Sequence, residues 1–234
     1  MMKNYLIVGI LTITIITFSF HTSFATSSPP MSIQMSKKCY GKPSAHSDWS
    51  HCDLHGIDLS FSNLAGINLS GANLQDARLY DTNLNSANLQ GANLQSSNMN
   101  FVNLSKANLI QANLQHIDFY HANLSHANLS GINFQGSRFP TVNFQGSNLV
   151  GANFAGTDTE LGNFQNTTLR NANFHDAVMM GDDFANADLT NADLSNANFG
   201  GGGIMAGANL LGAKTVGIDT AGADLSCINN SFCR

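Results

Sequence analysis

From Trp49 a large apolar residue, replaced once by Thr159, returns at every fifth position, without insertion, as far as Ile204. Of these 32 centres eighteen are Leu and nine are Phe; the others are Trp49, Met99, Thr159, Met179 and Ile204. Two places before a centre the residue is usually small, as at Ala72, Ala87, Ala92, Ala107, Ala112 and Ala122. One place before, it is Asn or Asp in 27 units, which makes that place a polar position by rule. A period of five excludes the ordinary elements. On an α-helix five steps of about 100° carry the apolar residue round by roughly 140°, so the centres spiral over the surface. In one long strand an odd period throws successive centres onto opposite faces. Within a unit, however, small, Asn and Leu alternate inward, outward, inward, which is a short extended segment. The next two residues, drawn from Ser, Gln, Gly, Asn and His, suit a corner. A corner after every segment brings all the centres to one axis, so the chain coils.

Units such as Ala72-Asn73-Leu74 and Ala87-Asn88-Leu89 resemble the pentapeptide-repeat family, whose units read Ala-(Asp/Asn)-Leu-x-x. The resemblance is continuous over residues 47–204 and less clean as far as Leu225. It implies an all-β fold, a right-handed quadrilateral β-helix with four units per coil. About eight regular coils would be followed by an irregular C-terminal coil, and at roughly 4.8 Å per coil the tract is about 38 Å long. Every twentieth residue then stacks. One column reads Leu54, Leu74, Leu94, Leu114, Phe134, Phe154, Phe174, and another Leu64, Leu84, Leu104, Leu124, Phe144, Phe164, Phe184. Both change from Leu to Phe at one level, so the packing is expected to change there. The inward small positions are expected to admit no bulk, so Ala112→Arg disrupts the coil and its outward neighbour Asn113→Arg does not.

The remaining segments are punctuation. Residues 1–25 read as an export signal: Lys3, an apolar stretch Tyr5–Phe20, then Ser23-Phe24-Ala25 as a cleavage site. The stretch is short for a membrane span of roughly 20 residues, so no span is expected after cleavage. Residues 26–46, with Pro29, Pro30, Lys37 and Lys38, read as a leader and N-terminal cap. The run Gly200–Gly203 introduces a one-residue frame shift, and 205–234 holds the last repeats and a C-terminal cap. Whether Ile204 or Met205 takes the inward place is left open by the pattern. Export predicts a periplasmic or secreted protein, where disulfides persist. Four cysteines allow three connectivities. On the coil stack that the resemblance implies, Cys39–Cys52 and Cys227–Cys233 stay at their own ends, whereas the other pairings bridge its whole length.

Charge and chemistry narrow the function. The formal charge is −5, mildly acidic, which argues against a phosphate-binding surface and so against nucleic acid as a partner. His116, His121 and His126 are spaced by five and so fall on three successive faces, too far apart to share a metal. The segment His46–His55, with Cys39, has metal-ligand types, but disulfide pairing accounts for the thiols more simply. No metal, cofactor or catalytic constellation is expected, because catalysis needs side chains converging in a concave site. The family's best-known activity is DNA mimicry towards gyrase; that needs dense acidity, and 19 of the 27 polar outward residues here are Asn.

One face differs. Around Leu59, Leu79, Met99 and Phe119 the corners carry Phe61, Tyr80, Phe101, Tyr120 and His121, and farther on Pro140, Leu161 and Met180. Its outward row includes Arg78 and Arg138 among Asp58, Asp118 and Asp158. Aromatics and Arg are enriched where binding energy concentrates. The pattern predicts a non-enzymatic, exported binding or structural module. Its face would meet a protein, a glycan or a second copy of the chain; a DNA-mimic regulator of a topoisomerase is the alternative.

Overall fold

Each unit builds one backbone bridge and one turn. In the computed structural model, which describes residues 39–233, the residue before each centre bridges in parallel to the residue one coil on, as in Asn68↔Asn88 and Asn73↔Asn93. The export signal expected at 1–25, and the leader as far as Lys38, lie outside the described residues. Four such bridges make a coil, giving the β-helix that the period demands. The bridges are isolated, so each side is a ladder one residue wide. Leu69 N–H donates to the Asn88 carbonyl (2.7 Å), and Asn88 N–H returns to the Ile67 carbonyl (2.9 Å).

The corner has a fixed conformation. Ala72 N–H closes onto the Leu69 carbonyl at 3.0 Å, and the second corner residue, Gly71, has φ of 63°. Positive φ at that place alone is the type II turn pattern. The Asn before each centre has two tasks that its outward direction does not reveal. Asn83 Oδ1 accepts the Asn85 N–H at the corner (3.1 Å), and Asn83 Nδ2 donates to Asn63 Oδ1 in the preceding coil (3.0 Å). The link repeats from Asn103 to Asn83, Asn123 to Asn103 and Asn143 to Asn123. Amide side chains therefore satisfy the corner donors and tie the coils together.

Leu, Phe and Met centres from Leu59 to Phe199 are fully buried. The change from Leu to Phe occurs where the columns place it. Phe154 and Phe174 stack at 4.7 Å and Phe164 and Phe184 at 4.6 Å, while Phe164 and Phe174 meet edge to face at 6.1 Å. Two sequence expectations need amendment. The inward small positions do admit bulk, since Ile67, Ile117 and Ile132 are buried there. Each lies in its stack between small residues: Ser47 and Ala87, Ser97 and Ser137, Ala112 and Ala152. Bulk in one coil is thus offset by small residues in the coils on either side. The in-frame run also ends at Phe199. Ile204 takes the outward bridging place opposite Asp183, and Met205 is the buried centre. The extra residue sits in the glycine corner, where a Cβ on Gly203 would lie 2.7 Å from the Phe199 carbonyl oxygen.

The ends close as paired. Cys39 and Cys52 are joined (Cα–Cα 5.7 Å), with Cys52 inward in the first coil, and Cys227 is joined to Cys233 (Cα–Cα 5.0 Å). Asn230 Nδ2 donates to the carbonyls of Leu210 (3.1 Å) and Ala213 (3.2 Å), covering part of the last coil. Among the described residues no helix is long and apolar enough to cross a membrane.

Candidate functional site

The ladder of corners on the face centred on Leu59, Leu79, Met99, Phe119, Phe139, Thr159 and Met179 brings its rings into one continuous contact. Phe61 meets Tyr80 at 5.4 Å, Tyr80 meets Phe101 at 5.4 Å and Phe101 meets Tyr120 at 5.8 Å. His121 joins Tyr120 at 4.1 Å and Phe101 at 5.3 Å. Interplanar angles of 64°, 59° and 80° along the strip make a herringbone of edges on faces, not a flat platform. Phe61 is 72% exposed, and the other three rings are partly open to solvent.

Between Trp49 and Ile204 the exposed large apolar residues are Phe61, Tyr80, Phe101, Tyr120, Leu161, Val178 and Met180, and all seven lie on this face. It also departs from the others in its backbone. Phe61 (φ 59°), Phe101 (60°), Thr141 (60°) and Leu161 (59°) hold bulky side chains in the left-handed corner position. On the other three faces the regular tract fills that position with Gly or with Asp, Asn, Ser, His, Lys or Gln. Left-handed backbone costs an ordinary residue about 1–2 kcal/mol. Burial does not explain accepting that cost at Phe61.

Charged side chains run beside the rings. Arg78 approaches Asp58 at 3.7 Å and Arg138 approaches Asp158 at 3.4 Å; both Arg side chains are largely exposed, and the pairs are weak. Hydrogen bonds from Ser60 hold the Asp58 carboxyl below its ordinary value, and Arg78 adds to this. A hollow of about 400 Å³ opens between Asn100, Asp118, Tyr120, Arg138 and Pro140. It adjoins a stretch where the regular pairing gives way. Among the described residues no bridge joins Asn113 to Asn133; Ile117 N–H donates instead to Ser137 Oγ (3.1 Å), and Tyr120 N–H to Asn100 Oδ1 (2.9 Å).

The sequence reading missed a buried carboxyl beneath this face. Asp182 occupies an inward small position between Gly162 and the glycine corner and is fully buried. Its Oδ1 accepts the Gly162 N–H (2.7 Å), and its Oδ2 lies 2.5 Å from Thr159 Oγ1. Burial pushes its titration well above the ordinary carboxylate range, with Asp158 and Glu160 adding to the rise and the two hydrogen bonds opposing it. A protonated Oδ2 can donate to Thr159 Oγ1, whose own hydrogen then turns to the Val178 carbonyl at 3.3 Å. The signal in the sequence was a Thr at a centre followed, 23 residues later, by an Asp at an inward place.

The histidines do not converge. His116 and His126 lean along the axis over Gly136 and Gly146, where a Cβ would fall 2.7 and 2.6 Å from the ring. His121 instead shares a hydrogen bond with Thr141 Oγ1 at 2.6 Å. Among the described residues no three His, Cys, Asp or Glu side chains are placed to hold a metal ion.

The sequence matches the family model described as pentapeptide repeats (8 copies) over residues 52–91, 87–125, 103–139, 117–156 and 142–176. It matches a second, pentapeptide repeats (9 copies), over 164–209. No curated protein sequence matches it. Among solved structures it is similar to HetL, a pentapeptide repeat protein involved in heterocyst differentiation regulation from the cyanobacterium Nostoc. Identity is 28% over 77% of this chain and 81% of that one, with a TM-score of 0.59. A trypsin-treated variant of QnrB1, a plasmid-mediated fluoroquinolone resistance protein, is 15% identical over 76% of this chain and 90% of its own (TM-score 0.49). A pentapeptide repeat protein of the Arabidopsis thaliana thylakoid lumen is 27% identical over 46% of this chain and 64% of its own (TM-score 0.23).

Proposed function

The chain belongs to the pentapeptide-repeat family, and from that premise we propose that it is a non-enzymatic interaction module whose contact surface is the aromatic face. One observation carries the reading: every exposed large apolar residue of the regular tract lies on one side out of four. Single exposed apolar residues are ordinary, whereas a contiguous patch rimmed by polar groups marks an interaction site. Phe61, Tyr80, Phe101 and Tyr120 supply the apolar strip, His121 extends it, and Arg78 and Arg138 supply charge at its edge.

The module works outside the reducing cytoplasm, in a periplasm or beyond the cell. Two disulfides at the ends of the coil support that placement, together with the signal-like residues 1–25. The alternative, a DNA-mimic regulator of a topoisomerase, needs dense and uncompensated negative charge. The outward carboxylates of Asp188 and Asp193 are compensated instead: Arg170 pairs with Asp188 at 2.7 Å and Lys214 with Asp193 at 2.9 Å.

The test is a fourfold variant, Phe61→Ser, Tyr80→Gln, Phe101→Ser and Tyr120→Gln, used as bait against extract from the native compartment. The variant is expected to melt near the parent temperature and to lose the parent's partners, a second copy of the chain included. Retention of the same partners at the same yield would make the strip mere cladding.

A further inference from the structure

We propose that the aromatic face is occupied by a second copy of this chain, laid antiparallel, with a two-fold axis crossing the face at the level of Asn98 and Phe101. The proposal rests on the reading of that face as the contact surface and names its partner.

The charges decide the arrangement. The outward row presents one residue per coil: Asp58, Arg78, Asn98, Asp118, Arg138, Asp158 and Val178. Two identical faces can meet in parallel or antiparallel. In parallel, each level meets itself, so Asp58 faces Asp58 and Arg78 faces Arg78 of the other copy. The same operation carries the ring corner across to the far corner, which holds Gln75, Gln95 and Gln115. Like charges and mismatched corners both disfavour it.

Antiparallel packing about an axis in the contact plane, perpendicular to the coil axis, leaves each corner row facing its own kind. Only the register is then free. With the axis at Asn98, Asp58 meets Arg138 of the second copy, Arg78 meets Asp118, and Asn98 meets Asn98. The rings fall into step, with Tyr80 facing Tyr120, Phe101 facing Phe101 and Phe61 facing Pro140. Half a coil farther along, Asp58 would face Asp158 and Arg78 would face Arg138. Half a coil back, Asp58 would face Asp118. A full coil either way sets Asp118 or Arg78 on itself. Of these five registers only the one centred on Asn98 satisfies both rows. The resident ion pairs at 3.7 and 3.4 Å are long and exposed, so both Arg side chains are free to exchange partners.

The herringbone of rings suits interdigitation with other side chains and offers a sugar no flat surface. The overlap spans five coils, roughly 24 Å of the coil axis. That is at the small end of specific interfaces, below about 1,200 Å² in total, so dimerisation is concentration-dependent.

The experiment combines sedimentation with disulfide trapping in the mature chain. The parent mass is expected to rise towards that of a dimer with concentration. Arg78→Asp is expected to shift that curve to higher concentration, and adding Asp118→Arg to shift it back. Asn98→Cys is expected to give a covalent dimer on mild oxidation, and Asn88→Cys on the opposite face to stay monomeric. A parent that is monomeric at its highest soluble concentration overturns the proposal, as does equal trapping through Cys at 98 and 88. Stronger trapping through Asp118→Cys than through Asn98→Cys overturns the register and with it the proposal. If the parent is monomeric while the fourfold ring variant still loses a different captured protein, the dimer falls and the contact face stands.

Discussion

Two opposite sides of the same coil use one backbone for different ends. On the side centred on Leu69, Leu89, Leu109 and Leu129, the outward row is Asn68, Asn88, Asn108 and Asn128, and the left-handed corners include Gly71, Gly91 and Gly131. Its amides link to one another, Asn88 to Asn68 at 3.2 Å and Asn108 to Asn88 at 3.4 Å, so its polar groups are spent on its own coils. On the aromatic side Arg, Asp and Val interrupt that row, and Phe, Thr and Leu occupy the corners that glycine fills opposite. The first side is saturated internally. The second holds strained corners and leaves rings and charges to solvent, and only there does Thr159 set a polar centre into the core. Internal hydrogen bonding and exposed apolar surface thus fall on different sides of one coil, which the fold permits because the sides share one inward core while their outward rows and corners project separately.

The largest expected effect comes from the polar pair under the aromatic side. Asp182 titrates above its unfolded value, so its proton is held more tightly in the folded chain. Its contribution to stability is therefore full below about pH 4 and is lost as pH rises towards its folded pKa, with a slope of up to about 1.4 kcal/mol per pH unit. Asp182→Asn keeps the hydrogen bonds of the protonated acid without the titration. Melting curves from about pH 4 to about pH 8 are expected to fall for the parent and to stay level, from this site, for the variant. An unchanged slope would mean that the carboxyl is not held protonated.

The outward rows should differ by a smaller amount. Asn88→Ala removes links to Asn68 and Asn108 and the acceptor for Gln90 N–H, whereas Asn98→Ala removes the acceptor for Asn100 N–H (3.2 Å). Denaturant unfolding is expected to show the first variant less stable than the second by about 1–2 kcal/mol. Equal losses would erase the distinction between a saturated and an open side.

Smallest is the effect of corner strain. Phe61→Gly is expected to be about 1 kcal/mol more stable than Phe61→Ala, because only Gly relieves φ of 59°. On the opposite side Gly91→Ala, at φ 65° with no neighbour near its Cβ position, is expected to cost a similar amount. If Phe61→Ala matches Phe61→Gly, the corner carries no strain and the contrast rests on exposure alone.

Much of the fold was legible because period and burial are the same fact in a coil of five-residue units. Leu at every fifth place has only one way to reach a common axis, and the columns of Leu giving way to Phe followed from counting twenties. The members of the aromatic strip were legible for the same reason, since each is placed by its number. Chain sequence alone also determined which cysteines share an end and which residues are outward. Tertiary structure decided what position cannot state. It chose Met205 over Ile204 as the inward centre, because a glycine corner absorbed the extra residue at no steric cost. It turned outward Asn from decoration into capping and linkage, a matter of amide geometry between coils. It revealed Asp182 as a buried acid, because burial belongs to the stacked neighbours of a residue and not to its type. And it set the rings edge to face, an angle that depends on rotamers packed against the next coil and on nothing within a single repeat.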